Sequence, residues 1–419
     1  MTALVVQRRP EQRQAPDGRG SRRWLAVAAA TFAIAWGGNE FTPLLVMYRT
    51  SEAFTPLTVD LLLFAYVLGI VPALLIGGSL SDRFGRRPLM LPAPVLAALG
   101  STILALGADS ALTLALGRVF SGLALGLAMA VGGSWIKELS SPPWGSGQAG
   151  ARRAAMSLTA GFGLGAGVAG VLAEWAPAPT VLPYAVNIVL ALAAAALIFG
   201  TQETRPSRRN GIPADPHSNF RSRSAISALD RRVLLVVLPV APWVFGAGAS
   251  AYAVLPALMT DRAAEAPIAF SGLLCVVTLG VGFAVQSLGR RLGTGGMRGV
   301  VIALVLVVAG MGAAVWAASA LTLWAAVAAA AVLGAGYGMA LLAGLQEIQR
   351  LAGPDDLAGL TAVFYAVSYL GFAVPAALAY ASQIWTVLTY PVMFAVGALA
   401  AIACLFVVLA GARRASTIS

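Results

Sequence analysis

Charged residues are scarce in this sequence: Asp, Glu, Lys and Arg make up 11% of 419 positions, against 59% hydrophobic residues. A soluble protein carries roughly 25% charged residues. The shortfall excludes a conventional water-facing coat, and the few charges fall in short patches between apolar stretches of about 20 residues. The patches read as loops and the chain as a membrane protein. Histidine and lysine are each present once, as His217 and Lys137, and the two cysteines, Cys275 and Cys404, both lie in apolar stretches. No His/Cys cluster that could hold a metal and no disulfide framework follow from that inventory. A Walker A loop requires a Gly-Lys pair, whereas Lys137 follows Ile136, so the ATP-binding loop of that type is excluded. The chain is expected to be no enzyme and to need no cofactor.

Twelve apolar stretches are present, at 24–48, 57–80, 88–107, 111–135, 154–173, 181–200, 233–257, 268–288, 299–317, 321–345, 359–382 and 386–410. Each is long enough to cross roughly 30 Å of hydrocarbon at about 1.5 Å per residue, and none has the alternation of a membrane barrel. They are numbered here as helices 1 to 12. Internal prolines at 92, 94, 239, 242, 375 and 391 read as kinks, which membrane helices tolerate because neighbours re-satisfy the freed backbone groups. The predicted organisation is a basic tail at 1–23, a six-helix bundle at 24–200, a linker at 201–232, a second six-helix bundle at 233–410 and a tail at 411–419.

The net charge of +11 is a topology signal. With the N-terminus placed in the cytoplasm, every Lys and Arg except Arg49, Arg118 and Arg262 falls on inner segments, as the positive-inside rule requires of an even number of spans. Both termini are then cytoplasmic, in a multi-pass protein of the cytoplasmic membrane. Nucleic-acid binding is a poor reading, because the basic residues are spread over seven segments instead of one face. The partners expected are a lipid bilayer and a small molecule, with the chain acting as a monomer.

The halves echo one another. "SALTL" recurs at 110–114 and 319–323, each at the start of its half's fourth span, and "GSLSDRFGRR" at 78–87 aligns with "GFAVQSLGRR" at 282–291. The second alignment matches Gly85, Arg86 and Arg87 with Gly289, Arg290 and Arg291. Repeats of six spans keep one orientation and are related by an axis along the membrane normal, a transporter architecture. The run from Gly78 to Arg87 resembles the signature of the loop between helices 2 and 3 in the major facilitator superfamily, most similar to its drug/proton antiporter branch. The resemblance covers the whole chain. It implies an all-α membrane protein, with twelve transmembrane helices in two pseudo-symmetric six-helix bundles. The bundles would rock about a cavity lined by helices 1, 4, 7 and 10.

The motif also implies a conformational gate. Gly78 is expected to let helix 2 approach a neighbour closely, Gly85 to form a tight turn, and Arg83, Arg86 and Arg87 to anchor the interface. In the family, the aspartate corresponding to Asp82 engages the positive end of helix 11, where Asp355 and Asp356 would compete. A pairing of Arg86 or Arg87 with Glu138 follows, mirrored by Arg290 or Arg291 with Glu347.

Inside "WGGNEFTP", at 36–43, Glu40 is the lone acid of the first span, and Arg118 lies in the fourth. Both sit about 10–12 Å below the outer surface at the rise of a helix. An isolated mid-membrane charge costs roughly 2.5–3.5 kcal/mol, so a partner or a function is expected. The stretch "RVFSGLALG", opening on Arg118, resembles the helix 4 motif of proton-coupled members. Burial favours a neutral acid and a guanidinium favours the carboxylate, so separating such a pair would make a proton switch. A static salt bridge between helices 1 and 4 is the structural alternative, and direct binding of a cationic substrate by Glu40 a third.

Helix 5 carries "GFGLGAGVAG" at 161–170, similar to the family's exporter motif but with Ala166 where proline is expected and Ala169 where glycine is. Export is therefore favoured. Its G-x-G-x-x-G, Gly165 to Gly170, reads as close helix packing, since no strand precedes it. Trp36, Asn39 and Glu40, with Trp243, Phe245 and Tyr252 on helix 7 and Tyr337 on helix 10, are candidates to line an amphipathic substrate pocket. The predicted function is proton-coupled export of a neutral or cationic amphipathic compound. The alternatives are uptake or passive uniport of a sugar or metabolite, or a receptor on the same fold.

Overall fold

The computed structural model describes residues 23–50, 54–142, 149–204, 233–293, 296–352, 357–385 and 387–416, and no strand occurs among them. Most of the predicted linker, His217, Asp355, Asp356 and the N-terminal arginines up to Arg22 lie outside the described residues. Among the described residues, eleven helices are long and apolar enough to cross a membrane. A further span, helix 1, arrives in two pieces, Trp24–Asn39 and Phe41–Thr50. The expected unbroken span at 24–48 is thus interrupted at Glu40. Pro43 accounts for it: proline has no N–H, and its ring crowds the carbonyl four residues back, that of Asn39. Beside the break, the Asn39 side chain accepts a hydrogen bond from the Thr42 hydroxyl at 2.7 Å through Oδ1 and donates to the Phe162 carbonyl of helix 5 at 3.2 Å through Nδ2.

Helices 2 and 3 run over Pro56–Phe84 and Arg86–Leu106, helix 4 over Ala111–Leu139, and helices 5 and 6 over Gly150–Trp175 and Leu182–Phe199. The second half repeats this with Val233–Leu258, Pro267–Arg291, Met297–Ala320, Leu323–Leu351, Leu357–Ile384 and Tyr390–Ser416. Helix 4 carries a π-helical turn at Ala128–Gly132, and helix 7 carries two, at Val233–Val237 and Ser250–Val254. Such turns concentrate at functional sites.

Burial separates central from peripheral helices. In helices 7 and 10, 61% of the most apolar stretch is buried, against 22% in helix 12, whose Leu399 and Phe406 are exposed. Exposed leucines and phenylalanines are stable only against lipid, so helix 12 faces the bilayer.

Small residues set the closest approaches. Helix 2 meets helix 4 where Gly69 faces Gly122 and Gly126 faces Ala73, so close that a Cβ at Gly122 would run into the Tyr66 carbonyl. Gly78 does not act this way: a Cβ there would meet nothing, and Gly77 is the residue set against Leu127 and Ala130. About 100° of helix rotation separates the two, which the loop motif alone did not fix. Gly165 and Gly170 of the helix 5 motif are spacers, lying on Trp36 of helix 1 and on Gly272 of helix 8, whereas a Cβ at Gly163 would meet nothing. The halves meet along helices 5 and 8 and along helices 2 and 11.

Candidate functional site

Glu40 and Arg118 are both enclosed, at 0% and 1% exposure. Glu40 Oε1 accepts a 2.7 Å hydrogen bond from the Ser101 hydroxyl of helix 3, and the same hydroxyl oxygen accepts one at 2.8 Å from Asn187 Nδ2 of helix 6. The acid therefore points into its own bundle, between helices 3 and 6. Arg118 donates to the Gly38 carbonyl at 3.3 Å. Its guanidinium lies 4.1 Å over the Tyr66 ring and 4.8 Å over the Phe41 ring. Desolvated cation–π contacts are worth about 2 kcal/mol, comparable with the mid-membrane cost of the charge.

The expected direct pair of Glu40 with Arg118 is corrected by this geometry: among the described residues no ion pair joins them. The break at Glu40 places its carboxylate under Ser101 while the Gly38 carbonyl takes the guanidinium, and a hydropathy plot records neither. Glu40 Oε2, Arg118 Nε, Tyr66 Oη, Asn187 Oδ1 and Trp36 Nε1 are buried without hydrogen-bond partners. Orphaned buried polar atoms cost about 1–3 kcal/mol each. Their convergence marks a polar site in an otherwise apolar bundle.

Against this site stands an aromatic junction between the halves. Phe245 stacks on Tyr369 at 4.3 Å and on Phe372 at 5.0 Å, with Tyr337 6.1 Å away. Tyr252 lies 6.3 Å from Phe372, and Tyr66 meets that ring edge-on at 6.5 Å. The Tyr369 hydroxyl reaches Met129 Sδ of helix 4 at 3.2 Å. Of the candidate pocket residues, Phe245, Tyr252 and Tyr337 come together here. Trp36 tilts against Phe32, Asn39 is engaged with helix 5, and Trp243 packs into the apolar core of the second half.

At the end of the bundle that carries the motif, Gly85 has φ +103°, a conformation natural to glycine. The turn lets Arg86 fold inward, donating to Glu138 of helix 4 at 2.9 Å and to Asp82 at 2.9 Å. Glu203, beyond helix 6, accepts the backbone N–H groups of Arg86 and Arg87 at 3.0 and 2.8 Å. Arg83 lies over Phe84, and Arg87 over Phe199. The expected mirror is corrected: Glu347 pairs with Arg350 on its own helix at 3.3 Å, while Gly289 is buried and Arg290 and Arg291 are exposed. The second half lacks the first half's Asp82, which helps to orient Arg86.

Sequence reasoning passed over Ser101, Asn187, Tyr66, Tyr369, Phe372 and Glu203. It also passed over Asp60, a buried acid in helix 2 that pairs with Arg49. Asp60 and Asn187 carry a signal, since each is a lone strongly polar side chain inside an apolar span.

An all-helical bundle in which the central helices are buried and a polar site lies beside an interface of two halves defines a membrane transporter. The chain belongs to the major facilitator superfamily, whose family model matches residues 25–376. Among solved structures it resembles the nucleoside transporter NupG, with TM-score 0.72 at 10% identity, covering 93% of this chain and 99% of that one. It also resembles a peptide transporter POT solved with sulfate, with TM-score 0.73 at 15% identity over 94% and 95% of the two chains. Two curated relatives of Bacillus subtilis (strain 168) match over shorter stretches. The arabinose-proton symporter is 32% identical over 90 residues, 22% of this chain and 19% of the symporter. The bacillibactin exporter is 30% identical over 81 residues, 19% of this chain and 20% of the exporter. This chain thus matches about a fifth of the length of each curated relative.

Proposed function

We propose that this transporter is a proton-coupled exporter of an amphipathic small molecule, with Glu40 as the protonated group and Arg118 as its electrostatic partner. One observation carries the reading: a fully buried carboxylate holds a single hydrogen bond, leaves its second oxygen unpartnered, and lies near a guanidinium without being locked to it. A carboxylate with one open oxygen can take a proton without breaking its existing bond to Ser101 Oγ. Tyr66 is the link to substrate, since its ring carries Arg118 on one side and meets Phe372 of the other half. Substrate inserted among Phe245, Tyr252, Tyr337 and Phe372 would move Tyr66 and with it the field at Glu40. The aromatic, uncharged character of that junction suits an amphipathic compound.

The motif loop then forms the inner gate, with Arg86 bridging Asp82 and Glu138. The protein works as a monomer in the cytoplasmic membrane, with both termini inside. The match to a proton symporter favours a second reading, proton-coupled uptake, which would use the same acid. Proteoliposomes with an imposed pH gradient test both. Glu40→Gln is expected to abolish uphill movement and to retain substrate exchange down a gradient. Uphill transport by the variant would refute the assignment, and the sign of the gradient that drives flux separates export from uptake.

A further inference from the structure

At the end of the bundle opposite Glu138, the halves are joined by contacts of a different kind. Helix 8 begins at Pro267, and the first N–H groups of a helix have no partners within it. Two of them, those of Ile268 and Ala269, donate to one oxygen of Glu174 at 2.7 and 3.0 Å. Glu174 stands in the last turn of helix 5, so a carboxylate of one half closes the N-terminus of a helix in the other. Pro267 contributes no donor, which leaves Glu174 serving the two exposed N–H groups that follow it, and the positive end of the helix favours the anion.

The seam beneath this cap is tight. Gly170 lies against Gly272, and Ser271, one turn into helix 8, is fully buried with its hydroxyl unpartnered. At the same end, Arg49 of helix 1 donates to the Ala253 carbonyl of helix 7 at 3.2 Å, its other arm being held by Asp60. The Glu174 cap, the contact of Gly170 with Gly272 and the bond of Arg49 to the Ala253 carbonyl would each have to part for the halves to separate here.

We propose that Glu174 is a gate residue, a carboxylate latch on helix 8 that holds this end of the transporter shut and is released once in each transport cycle. The proposal rests on movement of the two halves and is independent of proton coupling at Glu40. Arg49 supplies a weaker second tie through a neutral carbonyl, so removing the Glu174 charge shifts the balance towards opening.

Labelling of a buried cysteine reads that balance. In a chain carrying C275S and C404S, S271C is exposed to a membrane-impermeant maleimide in vesicles of each orientation. Glu174→Gln is expected to raise the labelling rate from the Glu174 side about tenfold, equivalent to ~1.4 kcal/mol. Glu174→Asp, one methylene short, is expected to raise it about threefold, ~0.7 kcal/mol, and supplies the readout should the glutamine variant not give a monodisperse protein. Labelling within about twofold of the parent in the folded variants overturns the latch, since tenfold corresponds to ~1.4 kcal/mol. That outcome leaves proton coupling untouched, because the Glu40→Gln flux assay reads it separately.

Discussion

Ser101→Ala probes the buried site where its geometry is most constrained. The Ser101 hydroxyl donates to Glu40 Oε1 and accepts from Asn187 Nδ2, so its loss leaves a carboxylate oxygen and an amide N–H unpaired in a closed bundle. A hydrogen bond to a charged group is worth about 1.5–3 kcal/mol and a neutral one about 0.5–1.5 kcal/mol. The variant should therefore be less stable by roughly 2–4 kcal/mol when Glu40 is ionised. Repeating the change in a Glu40→Gln background isolates the charge, because the glutamine carbonyl accepts the same bond as a neutral group. The double-mutant cycle should give a coupling of about 1–1.5 kcal/mol at high pH, measured by reversible unfolding in mixed micelles. The sign is fixed by the chemistry. Once Glu40 binds a proton it resembles glutamine, so the coupling should fade as pH is lowered and should never rise. A coupling below about 0.3 kcal/mol throughout the range from about pH 5 to pH 9 would refute an ionised Glu40 accepting from Ser101 in this conformation.

Other predictions follow from the packing and the motif loop. Gly122→Val should cost about 1–3 kcal/mol by driving a side chain into the Tyr66 carbonyl, whereas Gly78→Ala, which meets nothing, should be within about 0.5 kcal/mol of the parent; thermal unfolding in detergent distinguishes them. Glu138→Gln should weaken the bridge from Arg86 to helix 4 and slow transport while leaving insertion intact, and Arg86→Lys should lose more than charge, because the guanidinium serves Asp82 and Glu138 together. Arg118→Lys should reduce gradient-driven flux, since an ammonium cannot reproduce the planar stack on Tyr66 and Phe41. Unchanged flux in that variant, assayed in the same proteoliposomes, would detach the cation–π arrangement from function.

Much of the fold was legible from hydropathy and charge, and the reason is local. A bilayer demands that each crossing satisfy its own backbone bonds, so a stretch such as Ala111–Leu139 declares itself without reference to the rest of the chain. The Gly85 turn of the motif loop was legible for the same reason, whereas the pairing of Arg86 with Asp82 was not foreseen, the motif having assigned Asp82 to helix 11. Glu40 and Arg118 stood out because a charge in an apolar span is conspicuous. The orientation of Glu40 was not legible. Pro43 in "WGGNEFTP" is a signal for the break, but nothing there says that the carboxylate is presented to helices 3 and 6. Likewise, the pattern of "GRR" suggested a mirrored gate in the second half, but Glu347 turned to Arg350 on its own helix.

The sequence by itself determined which stretches are long and apolar enough to cross a membrane, and which acid and which guanidinium are stranded among apolar residues. Tertiary structure alone decided their partners. Glu40 and Ser101 are 61 residues apart, Ser101 and Asn187 are 86 apart, and Glu174 and Ile268 are 94 apart. Each of those meetings depends on how one helix is rotated and how closely small residues let it approach the next. Rotation and approach are settled by packing between helices, and packing is written in no single stretch of the chain.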